Sequence, residues 1–265
     1  MTPLSPEQVA SVRELQTLCD RLGAEVVIIG AIALRIGLGD WSRHTEDVDV
    51  AIAIDLDDLP RLTSILQEHG WEQDGRREHR WLTSAGARLD LIPAGPALRK
   101  ARHLQWPVSK MRMSLVGFEH VFADSLSVQM APDLPVKIAP LSVVALLKMV
   151  AYLDSPYDRA KDVDDLAAIL ARHDPGDSRR FSDEMLAANL NYEAVGAYWI
   201  GKDLGALCST EEKALVEQVI LQLRDERSRA YHLFLRQMPP GLEEDSASKA
   251  EMLVEAFRLG FDANK

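Results

Sequence analysis

The pattern of hydrophobic and polar positions divides the chain into a part that mixes strands with helices and a later part of helices alone. Residues 26–29 are four consecutive β-branched residues that end at Gly30, as is typical of a buried strand, and a helix-forming run over 31–36 follows. Beyond His173 apolar residues recur at helical spacing over 183–190, 192–207, 210–238 and 246–259. The pattern predicts an α/β (α+β) fold in which helices flank a mixed sheet, with a C-terminal helical region.

Capping and turn residues predict further elements of the first part. Ser5 followed by Pro6 is typical of a helix start, and we expect this helix to continue to about Leu22. The same rules predict a helix over 56–69 and a hairpin over 79–92 that turns at Ala85 and Gly86. We interpret the acids near residue 56 as helix-start residues and not as metal ligands; they are Asp55, Asp57 and Asp58.

Two carboxylates share one face of the next predicted strand. Asp47 and Asp49 alternate with hydrophobic residues over 47–54, so both point the same way. Alternate Cα atoms on a strand lie roughly 6.6 Å apart, and two carboxylates about 6 Å apart repel by roughly 3 kcal/mol at an effective dielectric constant of about 20. We therefore expect a cation between them. The alternative is an edge strand on which both aspartates are solvated.

A third carboxylate, Asp90, lies between two leucines on the second strand of the predicted hairpin. A buried carboxylate needs a partner; a nearby arginine could serve, and so could a metal held by Asp47 and Asp49. Three acids on two neighbouring strands suit a two-metal centre for phosphoryl transfer, in which carboxylate oxygens and a triphosphate bind Mg²⁺ (or Mn²⁺). Gly30 suits the same chemistry, because it lets a helix N-terminus approach a phosphate closely.

Composition narrows the class of protein. The 265 residues are 47% hydrophobic and 27% charged, as in ordinary soluble globular proteins. The apolar run over 26–34 is too short to span a bilayer, and no charged-then-apolar leader opens the chain. Cys19 and Cys208 have no ligand-like neighbours and fit reduced, buried thiols. We predict a cytoplasmic protein without a membrane partner.

Charge is unevenly spread along the chain. The formal net charge is −11, yet residues 76–112 carry nine Lys and Arg against two acids, a net charge of +7 that leaves −18 for the rest. A basic segment in an acidic protein is a candidate phosphate-binding surface. The alternative is a solvated basic face without a partner.

Three motifs in the first part resemble a known family. They are Gly30-Ala-Ile-Ala-Leu-Arg, Arg43-x-Thr45-x-Asp47-x-Asp49 and Leu89-Asp90-Leu. They resemble the nucleotidyltransferases of the DNA polymerase β superfamily, most closely the minimal AbiEii-type enzymes of abortive-infection and type IV toxin–antitoxin systems. The resemblance implies that Asp47, Asp49 and Asp90 bind metal and that Gly30, Ala31, Arg43 and Thr45 bind the nucleotide. The family usually has Gly-Gly or Gly-Ser where this chain has Gly30-Ala31.

A further match lies on two predicted helices downstream. Lys148 is a cation on a largely apolar helix, and Asp162 is a carboxylate able to pair with it or with Lys161. The region resembles the family's lysine-bearing helix followed by its Arg-x-Lys/Arg-Asp helix, which implies that Lys148 contacts the triphosphate and Asp162 orients it or activates the acceptor. Arg159 and Lys161 join the implied nucleotide site. The alternative is a structural ion pair between two packed helices.

The resemblance covers roughly residues 24–170 and implies a metal-dependent enzyme that moves a nucleoside monophosphate from an NTP to an acceptor. We expect residues 1–138 to form the catalytic domain, 139–173 to complete the nucleotide site and 174–265 to add C-terminal helices. The basic segment favours RNA, most simply a tRNA end, as the acceptor of a toxin-like enzyme with a cognate antitoxin. The alternatives are a small antibiotic-type acceptor and a non-catalytic module that binds an NTP or a protein.

Overall fold

The structure is a computed structural model, and it describes residues 4–39, 45–238 and 245–263. The chain forms two compact units, one up to Pro140 and one from Leu141. The division of function between residues 1–138 and 139–265 stays a prediction. Within the described ranges no helix is long and apolar enough to cross a membrane.

The first unit is a mixed α/β structure. Its described helices are α1 (Pro6–Asp20), α2 (Gly30–Leu38), α3 (Leu59–Glu68), α4 (Pro96–Ala101) and α5 (Phe118–Ala123). Its strands are β1 (Val26–Ile28), β2 (Asp47–Ile52), β3 (Glu72–Gln73), β4 (Arg80–Leu82), β5 (Arg88–Pro93), β6 (His103–Gln105), β7 (Arg112–Ser114), β8 (Leu126–Ala131) and β9 (Leu134–Ile138).

Seven of these strands form one sheet in the order β3-β4-β5-β2-β1-β9-β8, and β6 pairs with β7 in a separate hairpin. β2 is parallel to β5, and β1 is parallel to β9, whereas the other neighbours are antiparallel. The central strands bury their apolar residues, among them Val48 and Val50 on β2 and Leu89 on β5. The predicted mixed sheet flanked by helices is confirmed.

Local sequence explains several element boundaries. The Ser5 side chain accepts a hydrogen bond from Gln8 N, and the Gln8 side chain accepts one from Ser5 N, so α1 begins with a capping box. β1 passes directly into α2 at Gly30, as predicted. α2 ends at Gly39, whose left-handed conformation suits glycine.

Two boundary predictions were wrong. The helix predicted from residue 56 begins at Leu59, and the Asp55 side chain instead accepts hydrogen bonds from Ala97 N and Leu98 N at the start of α4. The stretch 210–238 is two helices, because Ser228 accepts a hydrogen bond from Tyr231 N and starts a new one.

The hairpin of β8 and β9 was not among the predicted elements. In β9, Leu134, Val136 and Ile138 are buried and the residues between them are exposed, which is the alternation of a half-buried strand. The strand lies beside β1 and parallel to it, with Ile28 opposite Ile138. The alternation of apolar and polar residues over Leu134–Ile138 was therefore the sequence pattern that could have predicted β9.

The second unit is helical. Its described elements are α6 (Leu141–Asp154), α7 (Ala160–Arg172), α8 (Asp177–Arg180), α9 (Asp183–Ala188), a 3₁₀ turn (Tyr192–Ala194), α10 (Val195–Leu207), α11 (Thr210–Arg224), α12 (Arg229–Arg236) and α13 (Ser246–Asp262). Tyr198, Trp199 and Phe234 are buried, as expected of core aromatics, whereas Tyr192 is 61% exposed.

Both cysteines are buried and unbonded, as expected from the sequence. Cys19 lies on α1 and Cys208 follows α10. Burial raises the pKa of each thiol to about 12, so both are protonated and unreactive at neutral pH.

Glycines bring α10 and α13 into backbone contact. A Cβ atom added to Gly201 would overlap the carbonyl oxygen of Phe257, and one added to Gly260 would overlap that of Tyr198. A methyl group at either position therefore has to push the two helices apart.

We expect Gly201→Ala to lower the free energy of unfolding by about 1 to 3 kcal/mol, because overpacking of the α10–α13 contact outweighs the gain in helix propensity. Chemical denaturation measures the change. Gly75→Ala is the matched control, since a Cβ atom there meets nothing within 4 Å. A Gly201→Ala protein as stable as the wild type would contradict this close packing.

Candidate functional site

The sheet brings Asp47, Asp49 and Asp90 onto neighbouring strands. β2 and β5 are parallel, and Asp49 is the direct Cα partner of Asp90. Asp47 lies two residues before Asp49 on β2 and therefore on the same face of the strand. Asp90 is buried, with 8% of its surface exposed, and the other two aspartates are partly buried. Three carboxylates thus meet on one face of the sheet.

Arg80 is the cation beside these carboxylates. It is the Cα partner of Asp90 across the β4–β5 ladder. Its Nε atom donates to Asp90 Oδ1 at 2.8 Å, and its Nη2 atom donates to Asp90 Oδ2 at 2.8 Å and to Asp47 Oδ2 at 2.5 Å. Of the two partners that the sequence allowed for Asp90, the structure shows the arginine.

Arg80 stays charged under all ordinary conditions. Its hydrogen bonds to Asp90 raise its pKa above the ordinary value, and the negative charges of Asp90 and Asp47 add to that effect. His79 lies beside the same cluster, with its Nε2 atom 3.8 Å from Asp90 Oδ2. In the described part of the chain Asp47 Oδ1 is buried and has no hydrogen-bond partner.

The carboxylates as arranged do not fit a metal ion. Arg80 already uses Asp47 Oδ2 and both oxygens of Asp90, and a metal ion cannot take these three ligand oxygens while the guanidinium stays in place. Among residues 4–39, 45–238 and 245–263, no group of three or more acidic, histidine or cysteine side chains is arranged to hold a metal. The assignment of Asp47, Asp49 and Asp90 as metal ligands therefore stays a prediction.

Gly30 is required by its backbone conformation and by the side chain packed against it. Its φ of +62° is in the left-handed region that favours glycine, and an added Cβ atom would overlap the carboxylate of Asp49. Ile29 precedes the helix without a side-chain cap. The first turn of α2, with Gly30 and Ala31, therefore begins beside Asp49.

Thr45 and Arg43 are the other residues predicted to bind phosphate. Thr45 lies just before β2, and its Oγ1 atom donates to the backbone oxygen of Asp47 at 3.1 Å. Gln8 holds the same segment from α1, because its Nε2 atom donates to the backbone oxygen of Thr45 at 3.2 Å. Arg43 lies outside the described residues. Roles for Thr45 and Arg43 in nucleotide binding stay predictions.

In the second unit Lys148 pairs with two carboxylates. Its Nζ atom lies 2.9 Å from Asp162 Oδ1 and 2.7 Å from Asp165 Oδ2, and all three side chains are largely buried. Burial disfavours the charged form of Lys148, but the two carboxylates outweigh that effect and raise its pKa. The pairing of Lys148 with Asp162 that the sequence allowed is present.

Two further residues of the predicted nucleotide site lie near this pair along the chain. Arg159 Nη1 lies 3.8 Å from Asp162 Oδ2, and Lys161 is exposed on the first turn of α7. The roles of Lys148, Asp162, Arg159 and Lys161 in nucleotide binding stay predictions, and the ion-pair interpretation also agrees with these contacts.

The basic segment 76–112 divides into internal and exposed cations. Arg80 contacts the acidic cluster, Arg88 pairs with Glu46, and Arg99 pairs with Glu119 and stacks on Phe122. The exposed cations are Arg76, Arg77, Arg88, Lys100, Lys110 and Arg112. Six of the nine cations are therefore exposed to solvent, Arg88 among them despite its pair with Glu46.

The β6–β7 hairpin, which carries Lys110 and Arg112, is tied to the residues that precede Arg80. Glu78 accepts hydrogen bonds from Val108 N and Ser109 N at 2.8 and 2.6 Å. His79 packs against Trp106, with ring centroids 5.6 Å apart. The hairpin tip is open to solvent, and Val108 is 80% exposed. An exposed basic hairpin is thus anchored next to the acidic cluster.

Arg80 was not among the predicted site residues and entered the prediction only as one charge of the basic segment. The predicted hairpin contained the missing information, since a turn at Ala85 and Gly86 places residue 80 opposite or next to Asp90. The contact from Arg80 to Asp47 depends on the further pairing of β5 with β2, which joins distant segments.

Comparison with known proteins gives one family. The sequence matches the family described as "Nucleotidyl transferase AbiEii toxin, Type IV TA system" over residues 15–259. No curated protein matches it.

Solved structures show similarity at low sequence identity. A nucleotidyltransferase-like antigenic protein from Paracoccidioides brasiliensis is 17% identical, with a TM-score of 0.42 over 70% of this chain and 87% of that one. The antibiotic-resistance factor ANT(2'')-Ia is 15% identical, with a TM-score of 0.39 over 62% of this chain and 82% of that one. A CCA-adding enzyme in complex with ATP is 12% identical, with a TM-score of 0.35 over 89% and 52%.

We expect Lys148→Met to lower the free energy of unfolding by about 3 to 5 kcal/mol, because it removes the shared cation of two largely buried carboxylates. Thermal and chemical denaturation measure the change. Lys161→Met is the matched control, since Lys161 is exposed on the adjacent helix. An unchanged melting temperature for Lys148→Met would contradict a structural role for this ion pair.

Proposed function

The chain belongs to the AbiEii family of nucleotidyltransferases, and from that premise we propose that it transfers a nucleoside monophosphate from an NTP to an RNA acceptor. In this reaction an acceptor hydroxyl oxygen forms a bond to the α-phosphorus of the NTP. The bond from that phosphorus to pyrophosphate breaks, and the hydroxyl proton passes to a base. The family match over residues 15–259 is the observation that carries the proposal.

The proposed reaction centre is the face of the sheet that carries Asp47, Asp49 and Asp90. Its support is the pairing of Asp49 with Asp90 and the approach of the Asp49 carboxylate to Gly30. Backbone N–H groups at the start of α2 bind phosphate oxygens in this proposal, because a helix N-terminus favours anions. Asp90 accepts the hydroxyl proton or positions the group that does.

Divalent metal ions are the usual cofactors of this family, and we propose Mg²⁺ or Mn²⁺ for this chain. Hard carboxylate oxygens are the ligands that both ions prefer. The cytoplasm is the proposed location, which agrees with two buried, unbonded cysteines.

RNA, most simply a tRNA end, is the proposed acceptor. The exposed cations of the segment 76–112 support it, since a polyanion gains affinity from neutralised phosphates. The β6–β7 hairpin is anchored through Glu78 and His79 beside the acidic cluster, which supports the proposal that its Lys110 and Arg112 contact the acceptor. The family description names a toxin of a type IV toxin–antitoxin system, so a cognate antitoxin is the proposed protein partner.

Incubation with each α-labelled NTP, Mg²⁺ or Mn²⁺, and total tRNA tests the proposal. We expect the wild type to transfer label to RNA and Asp49→Asn to reduce the rate about a hundredfold or more, the scale expected when one stabiliser of transition-state charge is lost. Gel separation of RNA from small molecules measures the transfer.

Asp133→Asn is the control for this test, because Asp133 is exposed and pairs with Arg13. Label in a small hydroxylated molecule would replace RNA by the small-molecule acceptor. NTP binding without any transfer would favour a non-catalytic module, and an Asp49→Asn enzyme with full activity would remove Asp49 from the centre.

Acceptor affinity tests the basic surface separately. We expect tRNA binding to weaken steeply with salt, with a log–log slope of about −0.7 for each phosphate contact. The double change Lys110→Gln and Arg112→Gln should flatten that slope by about 1.4 and leave NTP affinity unchanged. Filter binding over a salt series measures both quantities.

The double change Arg21→Gln and Arg61→Gln removes the same charge from exposed cations outside the basic segment and is the matched control. Equal slopes for the two double variants would exclude the hairpin from the acceptor surface. An affinity insensitive to salt would exclude RNA as the acceptor.

A further inference from the structure

Arg80 occupies three of the six carboxylate oxygens that Asp47, Asp49 and Asp90 could offer to a metal ion. The four side-chain oxygens of Asp47 and Asp90 include three that accept hydrogen bonds from this guanidinium, at 2.5, 2.8 and 2.8 Å. Across the described residues, the fourth, Asp47 Oδ1, is buried without a hydrogen-bond partner. While Arg80 stays in place, this pair therefore leaves one oxygen for Mg²⁺ or Mn²⁺, and a metal ion there would depend on Asp49 and on water.

Deprotonation of Arg80 cannot release the carboxylates of Asp47 and Asp90. An arginine side chain does not deprotonate in proteins, and the contacts with Asp90 and Asp47 favour its charged form further. The cation can leave only if the side chain moves.

The backbone of Arg80 is fixed, but its side chain can change rotamer. The β4–β5 ladder holds the Cα atom opposite Asp90, and the contact with Asp47 reaches across β5 to β2. The long aliphatic stem of arginine allows the guanidinium to turn away while the strand stays paired.

We propose that Arg80 and a divalent metal ion are alternative occupants of the carboxylate cluster, so that metal binds only when Arg80 releases Asp47. Arg80 then acts as the resident cation of the metal-free protein. It relieves the repulsion between Asp47 and Asp90 and weakens metal binding by competition for the same oxygens. The inference rests on the proposed function for the identity of the cluster as a metal-dependent centre.

Mn²⁺ binding in the absence of nucleotide and acceptor tests the competition, with free Mn²⁺ counted by electron paramagnetic resonance. We expect Arg80→Met to bind Mn²⁺ about tenfold or more tightly than the wild type, because a competing positive charge has been removed. Adding Asp49→Asn to Arg80→Met should abolish the gain, which locates it at the cluster.

Arg88→Met is the matched control. Arg88 is the Cα partner of Asp47 on β5, is exposed and pairs with Glu46, so its loss changes the net charge equally and leaves the contacts of Arg80 in place. Equal Mn²⁺ affinities for Arg80→Met and Arg88→Met would overturn the proposal, because they would show a general charge effect. So would a wild type that binds Mn²⁺ as tightly as Arg80→Met.

If Arg80→Met does not fold, Arg80→Lys is the variant for the same measurement. Lysine keeps the charge and loses the two-pronged contact with Asp90, so we expect an intermediate gain in Mn²⁺ affinity, and no gain would overturn the proposal. Because no NTP or acceptor is present, the outcome is independent of transfer. An Arg80→Met protein that gains Mn²⁺ affinity upholds the competition even where the wild type transfers no label.

Discussion

The contact of one guanidinium with two carboxylates on neighbouring strands is the interaction on which the first unit depends. β2 and β5 run parallel and place Asp47, Asp49 and Asp90 on one face, where their mutual repulsion opposes the pairing of the strands. Arg80 on β4 neutralises part of that charge and joins β4, β5 and β2 through side chains as well as through the backbone ladder. The same contacts of Arg80 therefore stabilise both the register of the three strands and the close approach of the acids.

The features around the acidic face follow from this arrangement. Asp49 lies so close to the start of α2 that residue 30 has to be glycine. His79 and Glu78, next to Arg80 in the chain, hold the β6–β7 hairpin through Trp106 and through two backbone N–H groups. The acidic face and the exposed basic hairpin are thus both held by three consecutive residues, Glu78, His79 and Arg80.

The second unit also contains one cation shared by two carboxylates, here on two helices. Lys148 on α6 lies between Asp162 and Asp165 on α7, whose positions three residues apart put both carboxylates on one helix face. A largely buried cation with two carboxylates is strongly coupled to packing, because removal of any member leaves charge without a partner in a poorly solvated place.

Sequence by itself determined the features that depend on neighbouring residues. The capping box of Ser5 and Gln8, the passage from β1 to α2 at Gly30, the shared face of Asp47 and Asp49 and the hairpin turn near Gly86 each follow from residues a few positions apart. The family motifs lie on these same elements, which is why their resemblance could be recognised.

Only the tertiary structure decided which distant residues meet. Arg80 reaches Asp47, Asp55 caps α4 and β9 pairs with β1 because sheet order and register bring together segments separated by tens of residues. Local propensity carries no information on that order: the hairpin turn places Arg80 near Asp90, but only the pairing of β5 with β2 brings Arg80 to Asp47. The occupant of the acidic cluster was therefore settled by strand pairing, and the sequence could state only that a cation was needed.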